Sequence, residues 1–123
     1  MLLNDFYSVN QLDQLADNKY LVKVVLNPLH AIFKGHFPGN PVTPGVCMMQ
    51  IIKELLEKIL DTELRMISSS NVKFMAIINP EINPELVLEL DLSGDLDSEI
   101  KVKNTTKFSD TVALKLTNTY RKA

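Results

Sequence analysis

Residues 33–60 read Phe33-Lys-Gly-His-Phe-Pro-Gly-Asn-Pro-Val-Thr-Pro-Gly45, followed by VCMMQIIKELLEKIL from Val46 to Leu60. Three prolines and three glycines in the first thirteen residues dictate an irregular backbone, because proline removes an amide donor and glycine admits conformations closed to other residues. The fifteen that follow are mostly helix-favouring. At about 100° per residue, Gln50, Lys53, Glu54, Glu57 and Lys58 share one polar face of the helix. Its first turn is apolar all round, since Val46 and Cys47 lie on that same side, so other elements are expected to wrap the helix start.

Outward from this helix the periodicity changes to two. In Leu86–Leu92 the four leucines fall on one face, with Val87, Glu89 and Asp91 on the other. Val72, Phe74, Ala76 and Ile78 alternate in the same way, as do Ile100 and Val102, and then Val112, Leu114, Leu116 and Tyr120. Ser93-Gly94-Asp95 and Asn104–Asp110 read as connections. Before the helix, Tyr20–Leu26 is a strand candidate, and Asp5–Gln14 is either a strand or a short helix. One helix cannot cover both faces of a long antiparallel sheet. The pattern therefore predicts an α+β fold in which a curved antiparallel sheet of five to seven strands wraps one central helix over 46–60, leaving a sheet edge for a partner subunit.

The 123 residues call for one domain, 1–123. A net charge of −2 with scattered charges gives no footprint for nucleic acid. No run is long enough for a membrane span, and the N-terminus lacks the pattern of a signal peptide. A single cysteine, Cys47, fits a reducing cytoplasm, and two histidines without ligand spacing argue against a metal site.

His36 sits in the loop that leads into the helix. A helix N-terminus carries unpaired N–H groups and the positive end of the macrodipole. A thioester carbonyl placed there can become an enolate oxyanion while an imidazole removes the neighbouring α-proton. His30 matches no such role and reads as a structural loop residue. Cys47, in the helix's first turn, reads as a small buried residue.

The run His36-Phe37-Pro38-Gly39-x-Pro41-x-x-Pro44-Gly45-Val46 resembles the signature of the 3-hydroxyacyl-acyl-carrier-protein dehydratases. The likeness is strong over residues 33–54, with a weaker echo at Lys73-Phe74 and Pro80. It implies a hot dog fold dimer whose active sites lie between subunits, each taking its histidine from one chain and its acid from the central helix of the other. His36 then carries over as the base and the Gly45 N–H, with that of Val46, as the oxyanion donor. Phe37, Pro38, Gly39, Val46 and Glu54 would surround the substrate. No cofactor is implied. The implied partners are acyl carrier protein bearing an acyl thioester and a second hot dog chain, in a homodimer, heterodimer or higher oligomer.

The departure is at position 50. Fourteen residues after His36 the family has an acid, and this chain has Gln50. A carboxamide donates hydrogen bonds but has no proton to give near neutral pH, and losing a general acid costs a factor of roughly 10²–10⁴. Glu54, one turn later, stands where related dehydratases carry glutamine, about 6 Å along the axis. Three readings follow. One is a dehydratase in which Gln50 orients the hydroxyl or a water. The second is a half-catalytic acyl-binding subunit paired with an acid-bearing chain. The third is a thioesterase with Gln50 or Glu54 holding water.

Overall fold

The computed structural model describes residues 5–34 and 41–123. Two strands, β1 (Tyr7–Ala16) and β2 (Lys19–Leu26), precede a 3-10 turn at Ala31–Lys34 and the helix α1 (Gly45–Leu60). Four strands follow: β3 (Leu64–Phe74), β4 (Glu85–Gly94), β5 (Ile100–Phe108) and β6 (Thr111–Lys122). They form one antiparallel sheet in the order β1-β2-β4-β5-β6-β3. The ambiguous N-terminal segment is thus a strand, and the single helix with a six-stranded antiparallel sheet is the architecture expected of a hot dog fold.

The helix and the inward face of the sheet share one core. Met48, Ile51, Ile52, Leu55 and Leu56 of α1 are wholly buried with Val22, Leu88, Val102 and Leu114 from four different strands. The register keeps those side chains in phase: Val22 pairs with Leu88, Leu88 with Thr106 and Thr106 with Leu114. At its C-terminus α1 stops at Asp61, which adopts a left-handed conformation (φ 52°) and returns its N–H to the Glu57 carbonyl. Gly94 closes β4 at φ +96°, and a Cβ there would lie 2.2 Å from the Glu99 carbonyl oxygen, so only glycine fits.

Three sequence expectations are corrected. Asn104–Asp110 is not a connection: β5 continues to Phe108, and only Ser109-Asp110 turns the chain. Asn104 and Thr106 point inward, where apolar residues were expected to mark the phase, and satisfy each other through a 2.9 Å bond from Thr106 Oγ1 to Asn104 Oδ1. Asn118 on β6 does the same with the Tyr120 hydroxyl at 2.9 Å. Buried polar groups are tolerated when paired in this way.

Second, Val72, Phe74, Ala76 and Ile78 do not form one buried row. β3 is an edge strand that ends at Phe74 and is bulged twice, with Asn71 at a positive φ of 53° in the second irregularity. Val72 and Phe74 are exposed, and of the four only Ile78 is buried. Third, the first turn of α1 is not wrapped on all sides. Cys47 is buried, but Val46 is 77% exposed.

Truncating the shared core should be costly. Leu88→Ala is expected to lower the unfolding free energy by about 2–5 kcal/mol, whereas Leu29→Ala, at a side chain 84% exposed, should stay within about 0.5 kcal/mol. Urea denaturation followed by circular dichroism reads both.

Candidate functional site

Pro44 caps α1 in an extended conformation (φ −63°, ψ 145°) and offers no side-chain hydrogen bond. The N–H groups of Cys47 and Met48 both reach back to the Pro44 carbonyl, at 3.0 and 3.3 Å. The N–H groups of Gly45 and Val46 are left without a carbonyl partner among the described residues. The helix therefore starts at Gly45, one residue ahead of the expected 46–60, with its first two N–H groups outside the intrahelical hydrogen bonds.

Two cavities meet this helix. One, of about 510 Å³, is lined by Val42, Thr43, Pro44 and Gly45 on one side and by Phe74–Ile78 on the other. Its walls are largely apolar, as an acyl chain requires. The second, of about 500 Å³, takes Val46, Met49, Gln50 and Lys53 from α1, with Met66 and Tyr120 from the sheet. Gly45 thus opens on the first cavity, and Val46 and Gln50 on the second. The Phe74 ring lies directly over the helix start: a Cβ on Gly45 would meet its Cζ at 2.7 Å. That close approach explains the glycine.

The polar stripe of α1 is only partly open to solvent. Glu54 is only 7% exposed. Its two carboxyl oxygens are both engaged: the Tyr7 hydroxyl of β1 donates to Oε1 at 2.9 Å, and Gln50 Nε2 donates to Oε2 at 2.9 Å. Glu57 is half-buried and accepts the Leu64 N–H at 2.9 Å. Of the stripe, only Lys58 is fully exposed. Gln50 is half-buried and hydrogen-bonded, as its apolar neighbours implied, but Glu54 is an internal residue of the fold.

Burial, reinforced by the Glu54 carboxylate beside it, pushes the Tyr7 phenol well above the ordinary tyrosine range. Burial likewise raises Tyr120 and the Cys47 thiol, so Cys47 is not an activated nucleophile despite its place in the first helical turn. Tyr7 was not foreseen from sequence. It lies forty-seven residues from Glu54, and only the pairing of β1 with the sheet brings it to the helix.

His36, Phe37, Pro38 and Gly39 lie outside the described residues. His30 packs edge-on against Phe6, with ring centroids 5.1 Å apart, and its Nδ1 accepts the Ile32 N–H at 3.1 Å, as a structural loop residue should. Among the described residues no group of three or more His, Cys, Asp and Glu could hold a metal ion. None of the helices there is long and apolar enough to cross a membrane.

Solved structures share this fold. The dehydratase heterocomplex ApeI:P from Xenorhabdus doucetiae superposes with a TM-score of 0.73 at 21% identity, over 92% of this chain and 96% of that one. A hypothetical thioesterase protein with coenzyme A from Streptococcus pneumoniae TIGR4 superposes at 0.66 and 11% identity, over 95% and 87% of the two chains. Fold and sequence together define a hot dog protein of the dehydratase type. More narrowly, the chain belongs to the ApeI-like family, whose model, ApeI dehydratase, matches residues 12–113. A curated relative, the 3-hydroxyacyl-[acyl-carrier-protein] dehydratase FabZ of Lactococcus lactis subsp. lactis (strain IL1403), is 30% identical over 46 residues, which are 37% of this chain and 30% of the relative's length.

Two outcomes follow from this geometry. Gly45→Val should be destabilising, and Phe74→Ala should relieve it, so a double-mutant cycle on urea midpoints should return a coupling of about 0.5–3 kcal/mol. Folding also raises the Tyr7 pKa, so the folded chain holds that proton more tightly than the unfolded chain. The stability this contributes is complete below pH about 10 and is lost as the pH climbs further. Tyr7→Phe should therefore lose less stability than wild type between pH 9 and 11.5, measured by urea denaturation across that range.

Proposed function

We propose that this chain acts on 3-hydroxyacyl thioesters carried by acyl carrier protein, expelling water to leave the trans-2-enoyl thioester, in the cytoplasm. The observation that carries the reading is the start of α1: the N–H groups of Gly45 and Val46 have no carbonyl partner among the described residues, and Gly45 lines a largely apolar cavity of about 510 Å³ while Val46 lines the neighbouring one. A thioester oxygen bound there would be stabilised as the enolate forms.

His36 removes the α-proton, the electron pair moves into the enolate, and its return expels the 3-oxygen as the carbon–oxygen bond breaks. The departing hydroxide needs one proton. Gln50 cannot supply it, and both oxygens of Glu54 are already engaged. The imidazolium of His36 carries the abstracted proton and returns it to the oxygen, so the products are the enoyl thioester and water. Phe37, Pro38 and Gly39 would hold the loop around the substrate.

A second hot dog chain completes the reading. β3 ends the sheet with one side unpaired, and Met66, Ile67, Val72 and Phe74 leave apolar surface exposed along it. Such an edge calls for a partner strand. Among the described residues no Asp or Glu side chain lines the Gln50 cavity, which favours a mixed pair, in which a chain with an acid at the equivalent of position 50 faces His36. The fold's occurrence in a dehydratase heterocomplex supports that arrangement.

The test is turnover of a 3-hydroxyacyl thioester by the wild type, His36→Ala and Gln50→Glu, each alone and mixed with an acid-bearing hot dog chain. His36→Ala should abolish turnover in every setting. Gln50→Glu should raise the activity of the chain alone by up to roughly 10²–10⁴. Enoyl product is expected; release of free acid and thiol instead would make the protein a thioesterase and end the dehydratase reading.

A further inference from the structure

We infer that Tyr7 and Glu54 are positioning residues for Gln50: they lock its amide with the NH2 group turned into the protein and the carbonyl oxygen turned to the cavity, making position 50 a hydrogen-bond acceptor selective for a substrate hydroxyl. The identity of the ligand rests on the function proposed above; the lock itself does not.

The argument starts from what each group can do. A carboxylate only accepts, a primary amide carries donors on nitrogen and acceptor lone pairs on oxygen, and a phenol can do both. Glu54 Oε2 lies 2.9 Å from the Gln50 amide nitrogen. The reverse orientation would set the amide oxygen against a buried carboxylate and lose that bond, leaving a 7%-exposed acceptor unsatisfied. Tyr7 closes the other side of the carboxylate through its 2.9 Å bond to Oε1. With both oxygens fixed, from two different elements, Glu54 cannot swing to follow the amide.

Gln50 is also part of the wall of the second cavity, of about 500 Å³. Nε2 has spent one of its two protons on Glu54, and Oε1 accepts no hydrogen bond from the described residues, so its acceptor capacity remains for a ligand at this wall. An acceptor there takes the proton of a 3-hydroxyl group. The same position would discriminate against a substituent that has no donor.

The test uses the full chain and its Tyr7→Phe, Glu54→Gln and Glu54→Asp variants. Stable amide analogues of acyl-pantetheine, matched in length and bearing 3-hydroxy, 3-methoxy or unsubstituted C3, are titrated calorimetrically. Wild type should prefer the hydroxy analogue over both others by roughly tenfold, the worth of one matched hydrogen bond at a partly buried acceptor. Tyr7→Phe and Glu54→Gln should cut that preference to within about threefold while leaving affinity for the unsubstituted analogue unchanged, and Glu54→Asp should restore part of it. In parallel, ¹⁵N side-chain spectra should show the Gln50 amide with one proton shifted and protected from exchange, unlike those of exposed Gln11 and Gln14. Glu54→Gln should remove that signature. A Gln50 amide that resembles the exposed glutamines in wild type overturns the lock. A normal lock with no preference for the hydroxy analogue, or with a preference that survives both variants, overturns the acceptor role. Binding of none of the three analogues overturns the proposed substrate class along with the selectivity.

Discussion

Burying α1 is the constraint on which the rest of the structure depends. Met48, Ile51, Ile52, Leu55 and Leu56 are removed from water altogether, and removing an aliphatic side chain is worth about 1.5–3 kcal/mol each. A lone helix cannot hide so wide an apolar surface. Every inward-facing row of β2, β4, β5 and β6 is in register to cover it. The start of the helix is determined by the same packing. Once the middle of α1 is held against the sheet, Pro44 and Gly45 must stand at the cavity lined by Phe74–Ile78, and the first N–H of the helix, which has no carbonyl partner among the described residues, comes with them.

Glu54 shows how a polar group can sit inside such a core without undoing it. A buried carboxylate is costly unless its oxygens are satisfied. Here one donor comes from the preceding turn of the same helix and the other from β1, at the far edge of the sheet from β3. The contact ties the position of the helix to a strand that otherwise pairs only with β2. It also changes what position 50 can contribute. An amide engaged by its own neighbour is a fixed element of the cavity wall rather than a mobile surface side chain.

The unfinished parts of the fold lie on the other flank. β3 is irregular at two places, exposes several apolar side chains and has one side without a strand. Val46, at the helix start, is uncovered as well. The contrast lies within one chain: five side chains of the helix are completely buried while these apolar side chains stand in water.

The sequence by itself determined the helix, the leucine row of β4 and the irregular approach to the helix start, because each is a local pattern. A 3.6-residue period, a two-residue period and a dense run of Pro and Gly can be read from neighbours along the chain. It also located the Pro-Gly entry at which the helix opens. Only the tertiary structure decided that Asn104 and Thr106 continue a strand, since inward-facing polar residues break the alternation unless their partners are known. Only tertiary structure, too, decided that Glu54 is internal and that Tyr7 holds it. Helix periodicity places Glu54 among charged residues and so assigns it to solvent, whereas its surroundings depend on a strand forty-seven residues away. Burial of a polar group is a property of what folds over it, and no local pattern carries that information.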